Sequence, residues 1–456
     1  MAKKGPNYVC RQCGYSASSW SGKCPSCDAW NALEETITLD SNKGSSFLGS
    51  AKALEINDNW GDLAIQDQLG RIKTDIADVD LVLGGGFAPA SVNLLVGQPG
   101  IGKSTLTMQI AASIAKKRNV LYVSGEESVA QVGARATRLG ATKSNLHLVA
   151  SNSCNDIAKE ISGGKYGVVI VDSIQTIGMS ELSSNTGSVS QITNSTNLIM
   201  NVAKKSGTTV VMIGHVTKEG AIAGPKILEH IVDVVMQLEG DRYDGFKILR
   251  AVKNRYGSTT EAGIFEMQES GLQQVTNPSQ ALLNERVITD GSIILATVEG
   301  SRPLLVEVQA LVNESHFGYP KRASSGFDLN RLNLLIAVLE KRTKLNLSTK
   351  DIYINIVGGI KLSDPAADLA VVMAIASASK GLALKSDAVV FGEVGLSGEI
   401  RHVSITQKRI NEAVKLGYKH IVGPKITAQV ARTAHGSKYH QATDIKSTLN
   451  EFLKKE

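Results

Sequence analysis

Residues 91 to 105 read SVNLLVGQPGIGKST. An apolar, strand-like run ends at Gly97, the pattern Gly97-x4-Gly102-Lys103-Ser104 follows, and a helical stretch, STLTMQIAASIAKK, continues from Ser104. A glycine-rich loop between a strand and a helix N-terminus turns backbone N–H groups and the positive helix end toward phosphate. The spacing therefore predicts a P-loop nucleotide site for ATP or ADP, formed by Gly97, Gln98, Pro99, Gly100, Ile101, Gly102, Lys103, Ser104 and Thr105. Lys103 reaches the β and γ phosphates, and the Ser104 hydroxyl takes Mg2+.

The partners such a loop needs lie downstream. In YGVVIVDS, Asp172 ends a fully apolar strand and is expected beside Ser104 as the second magnesium group. VLYVSGEES sets Glu126 and Glu127 just after another strand, at the carboxyl edge of a parallel sheet, where ligands bind. One of the two is expected to orient the attacking water, and the other to be a solvated acid at a helix start. His215, after VVMIG, and Gln175, after Asp172, each have two open readings: a γ-phosphate sensor or a plain strand-end residue.

Outward from the loop, strands NVLYVSG, NLHLVAS, YGVVIVDS and TTVVMIGH alternate with helical patterns, which implies βαβ units and a buried, mostly parallel sheet. The expected fold class is α/β. At 456 residues the chain exceeds one ordinary core. Composition divides it into a cysteine-rich module at 1–35, a polar Gly/Ser linker at 36–64, an ATPase domain at 65–272, a linker at 273–286 and a second α/β domain at 287–456. With 42% hydrophobic and 20% charged residues, the composition is that of a soluble globular protein. No signal peptide or membrane-spanning run is read, so a cytoplasmic protein without a membrane partner is expected. The net charge of +6 is compatible with a polyanionic partner without naming one.

Cys10 and Cys13 form one CxxC, and Cys24 and Cys27 another, with ten residues between the pairs. Two such knuckles supply a closed four-thiolate shell suited to structural Zn2+ and leave no open position for catalysis. Cys154 stands apart and reads as an ordinary thiol.

In FKILRAVKNRYGSTTEAGIFEM, residues 246–267, apolar alternation predicts two strands joined by a turn, with Lys253 and Arg255 near its tip. The segments LGGG (83–86), SGEES (124–128), DSIQT (172–176), ELSSNTGSVSQ (181–191), GHVTKEG (214–220), KNRYG (253–257) and RPLLVEVQALV (302–312), with the paired CxxC, together resemble the bacterial RadA family, also called Sms. The likeness covers essentially the whole chain. It implies a RecA-like ATPase of recombination and DNA repair that acts with the RecA recombinase on single-stranded and branched DNA. It implies assembly as a ring or filament, a hexameric ring being the expected form, with ATP between subunits.

On this resemblance, water activation falls to Glu126, and Lys253 and Arg255 serve the γ-phosphate of a neighbouring subunit. The loops at 178–191 and 216–226 would hold single-stranded DNA, with Lys218 and Lys226 on its phosphates. Neither loop contains an aromatic residue, so contact through the DNA backbone is expected. The implied activity is an ATP-driven motor that promotes branch migration or unwinding, with a non-motor recombinase loader as the alternative. The second large domain resembles the proteolytic domain of Lon proteases. SDPAADLA puts Ala366 at the nucleophile position, and GEIRHVSITQKR puts Gln407 at the dyad lysine with Lys408 next to it, so peptidase activity is not expected.

Overall fold

The computed structural model describes residues 7–10, 16–17, 19–25, 28, 30, 33–36, 70–142, 145–215, 227–240, 245–315 and 319–453. Near the N-terminus, β1 (Asn7–Cys10), β2 (Ser16–Ala17) and β3 (Leu33–Thr36) form an antiparallel sheet in the order β2-β1-β3.

The chain packs as two units, the first of which takes in this small sheet. The first runs to Glu239 and takes in Leu249–Thr259 and Gln268–Leu272; the second comprises Gly240–Ile248, Thr260–Met267 and the chain from Gln273 onward. The first unit is built on β4 (Val92–Gly97), β5 (Val120–Ser124), β6 (Leu146–Ala150), β7 (Val168–Asp172), β8 (Thr209–His215) and β9 (Val234–Glu239). These lie parallel in the order β9-β4-β8-β7-β5-β6. Beyond β9 the sheet continues through β10 (Lys247–Asn254), β11 (Ala262–Gln268) and β12 (Gly271–Gln274). The hairpin expected around KNRYG is thus β10 and β11.

Parallel strands need crossovers, and helices Lys103–Ile114, Val129–Arg138, Cys154–Ser162 and Val189–Ser206 supply them. Covered on both faces, β4 and β5 are buried at every position, which is why they read as unbroken apolar runs. Leu94, Leu121, Val169, Val171, Val210 and Met212 join one core with Cys154, the ordinary buried thiol anticipated for it. Register brings the strand ends together: Gly97 pairs with His215, and Ser124 with Asp172. The P-loop, SGEES and DSIQT therefore share one edge of the sheet.

The second unit has β13 (Ser292–Glu299), β14 (Arg302–Glu314), β15 (Arg322–Ser325), β16 (Lys350–Ile356), β17 (Ala388–Val390), β18 (Glu393–Val394), β19 (Ile400–Arg401), β20 (His420–Gly423) and β21 (Lys438–Gln441). Seven of them form a mixed sheet in the order β15-β16-β14-β13-β17-β20-β21. Helix Ala367–Lys380, buried from Ala367 to Ser377, is its central helix. Residues 273–286, expected as a linker, include helix Pro278–Leu283, whose first turn is capped by Asn277 and whose Leu282 enters the core of this unit. The polar sequence concealed it because fewer than two turns with a proline at the start carry little periodicity.

Candidate active site

The P-loop leaves β4 under tight backbone constraint. A Cβ on Gly97 would stand 2.5 Å from the Leu238 carbonyl oxygen, and Gly100 and Gly102 have φ of 81° and 113°. Glycine meets both demands without strain. Helix Lys103–Ile114 begins at once, with Ser104 and Thr105 half-buried in its first turn.

Lys103 is buried, and its Nζ donates to the carbonyls of Gly97 at 2.9 Å and Gln98 at 3.0 Å and lies 3.1 Å from His215 Nδ1. No ion pair reaches it among the described residues. Burial lowers its pKa to about 8, and the charges of Asp172 and Glu126 oppose that shift. A buried ammonium wrapped in carbonyl oxygens, beside a helix N-terminus, fits a phosphate anion. His215 is pushed below the usual histidine range by burial first and by Lys103 second, so the neutral ring can accept the lysine proton donor.

Asp172, at the end of β7, accepts the Tyr122 hydroxyl on Oδ2 at 2.6 Å, and its Oδ1 takes no hydrogen bond from the described residues. A carboxylate oxygen left clear in this way is a hard donor of the kind Mg2+ takes. Glu126 and Glu127 diverge. Glu126 Oε1 accepts the Ser173 hydroxyl at 2.5 Å and lies 3.7 Å from His215 Nε2, the ring nitrogen other than the one beside Lys103. Glu127 pairs with Arg135 of the following helix. Glu126 thus stands beside His215, while Glu127 is engaged in an ion pair with the following helix.

Lys253 and Arg255 lie at the other edge of the sheet. Lys253 Nζ donates to the carbonyls of Glu229 at 2.6 Å and Val232 at 2.8 Å, at the end of helix Ile227–Ile231. Arg255 Nη1 is 3.2 Å from Asp233 Oδ1, and Asp233 Oδ2 accepts the Val92 N–H at 2.9 Å, at the first residue of β4. Gly97 is the last residue of that strand, and at about 3.3 Å per residue the two ends are roughly 17 Å apart. The KNRYG turn is also anchored by Arg71, which donates to the Tyr256 carbonyl at 2.7 Å and to the Leu83 and Gly86 carbonyls of LGGG at 3.2 Å. Arg71, an anchor the sequence reading missed, has no local motif around it.

Of the expected DNA residues, Lys218 and Lys226 lie outside the described residues. The loop at 178–191 is fastened by Gln191, which accepts the Met179 N–H at 2.8 Å and donates to the Ser184 carbonyl at 2.9 Å. Among the zinc cysteines, Cys10 lies in β1 and Cys24 is fully buried, its carbonyl accepting the Asp28 N–H at 2.9 Å; Cys13 and Cys27 lie outside the described residues. The described core of this module is Cys24 and Leu33 with Tyr8 and Ala17 packed on them. A module of about 35 residues is of a size that fits a fold held by metal.

In the second unit Ala366 is buried at the start of helix Ala367–Lys380. Arg409, fully buried, donates to Asp364 Oδ2 at 2.6 Å and to the Ala296 carbonyl at 2.8 Å, while Lys408 Nζ is spent on the Ser301 carbonyl at 3.0 Å.

Strand order, loop and carboxylates define a RecA-like P-loop ATPase that carries an N-terminal metal-binding ribbon and a Lon-like C-terminal domain. Comparison with family models agrees: residues 62–221 match the AAA domain, 8–35 the rubredoxin metal binding domain, and 333–427 the subunit ChlI of Mg-chelatase. The chain is 46% identical to the DNA repair protein RadA of Halalkalibacterium halodurans and 45% identical to that of Bacillus subtilis, in each case over 93% of both chains. It is 44% identical to the Streptococcus pyogenes serotype M1 protein over 99% of both. The chain belongs to the RadA family of DNA repair proteins. No helix among the described residues is long and apolar enough to cross a membrane.

Proposed function

We propose that this protein is an ATP-driven DNA motor that assembles as a hexameric ring, binds single-stranded DNA, and extends branched recombination intermediates made by RecA. Lys103 and the P-loop amides hold the nucleotide phosphates; Ser104 and Asp172 hold Mg2+, which screens phosphate charge; Glu126 orients the attacking water. Lys253 and Arg255 complete the site of the adjacent subunit by stabilising charge on its γ-phosphate. Lys218 and Lys226 contact DNA phosphates, and the four cysteines hold Zn2+.

The observation that carries this reading is the separation of Arg255 from Lys103 by the length of β4. Arg255 cannot serve the P-loop of its own subunit, so a complete site requires a second one. A motor is tested by unwinding: the purified protein should open forked DNA with hydrolysable ATP and leave it closed with a non-hydrolysable analogue. Forks left intact under both conditions, with DNA still bound, would identify a recombinase loader instead.

A further inference from the structure

Three groups around Asp172 neither hold phosphate nor activate water: Tyr122, Glu127 and Arg135. Tyr122 belongs to β5, on the strand next to Asp172, and is almost fully buried. Its hydroxyl donates to Asp172 Oδ2 at 2.6 Å, a short bond of the charge-assisted kind. Tyr122 therefore ties β5 to the end of the strand that carries Asp172.

Arg135 approaches from the other side. Its Nη2 is held by Glu127, and its Nη1, buried and without a hydrogen-bond partner, lies 4.0 Å from the same Asp172 Oδ2. Both donors address one oxygen of the carboxylate and leave Oδ1 clear.

We infer that Tyr122 and Arg135 are positioning residues for magnesium: they fix Asp172 through Oδ2 and turn Oδ1 to the metal, with Glu127 holding Arg135 in place. This rests on the reading of Asp172 as the metal's carboxylate. It gives the second acid of SGEES a task distinct from that of Glu126. Outer groups of this kind typically change metal affinity 10- to 100-fold when removed.

The test uses the full-length protein and binding of an N-methylanthraniloyl ATP analogue, measured with saturating Mg2+ and again in EDTA. Asp172→Asn should abolish the tightening that Mg2+ produces. Tyr122→Phe, which keeps the ring and removes the hydroxyl, should reduce that tightening about tenfold and leave the affinity in EDTA unchanged. Arg135→Gln should do the same on a more exposed helix, with partial recovery in Arg135→Lys. The EDTA arm also reports whether each variant folds. If Asp172→Asn keeps the Mg2+ effect, the metal reading fails and the inference with it. If Asp172→Asn loses the effect while Tyr122→Phe and Arg135→Gln keep it, or lose affinity equally in both arms, the metal reading stands and the positioning role is overturned.

Discussion

Arg255 Nη1 lies 3.2 Å from Asp233 Oδ1, in a pair whose acid is buried and whose arginine is half exposed. Asp233 does not depend on Arg255 alone. Lys204 Nζ donates to its Oδ2 at 2.6 Å and the Val92 N–H at 2.9 Å, and these hydrogen bonds with the Lys204 and Arg255 charges hold the carboxyl below its ordinary value despite the opposing cost of burial. Arg255 can leave for a neighbouring phosphate without stranding a buried charge.

The two cations of KNRYG should therefore behave differently when truncated. Lys253 satisfies carbonyls at a helix end, so Lys253→Ala should cost about 1–2 kcal/mol of stability as well as ATP turnover. Arg255→Ala should lower turnover about 10³-fold with the melting temperature within about 1 °C of wild type. Thermal melts beside ATPase assays check this; equal destabilisation by both would contradict it.

Nucleotide binding should take up a proton near pH 8. The folded, nucleotide-free Lys103 has a pKa of about 8, below the ordinary lysine value of 10.5. Between these values only the unfolded chain keeps that proton, so the stability of the nucleotide-free protein gains from this group as pH rises across the window. Phosphate requires the charged form, so affinity should weaken as pH rises through about 8. Calorimetry at pH 8 in two buffers of different ionisation heat should give uptake of about half a proton per ATP; no buffer dependence would refute the assignment.

The buried Arg409–Asp364 pair lies beside Ala366, whose N–H donates to Asp364 Oδ1 at 3.1 Å. Arg409→Met leaves Asp364 without its cation and should cost about 3–5 kcal/mol, read from chemical denaturation of the second unit. Ala366→Ser should produce no peptidase, since Lys408 is held at the Ser301 carbonyl and position 407 is glutamine. Peptide cleavage by that variant would overturn the reading.

Chelation of zinc should unfold the N-terminal module and leave the ATPase unit folded. At roughly 35 residues the module is too short for a core that offsets chain entropy unaided. Tryptophan fluorescence should respond, because Trp20 and Trp30 both lie in this module, while nucleotide binding persists. An unchanged spectrum after complete metal removal would argue against a structural zinc.

What the sequence made legible was chemistry written in contiguous residues. The P-loop, Asp172 and the hairpin around Lys253 could be read because strand, turn and helix patterns flank them closely. Residue spacing alone left Glu126 and Glu127 equivalent, and only the family resemblance singled out Glu126; the pairing of Glu127 with Arg135 comes from the next helix. Tyr122 passed as a core residue inside VLYVS because its hydroxyl matters only through Asp172, 50 positions away. Lys253 gave no sign of its helix-end carbonyls, which precede it by more than twenty residues. Helix Pro278–Leu283 hid in a stretch whose proline marks a helix start as readily as a break.

If Arg255 acts across a subunit boundary, mixing Lys103→Ala and Arg255→Ala subunits, each inactive alone, restores DNA-stimulated ATP turnover, with a peak at intermediate ratios where an intact P-loop meets an intact Arg255. Mixtures that assemble fully, exchange subunits, and stay inactive at every ratio would contradict it.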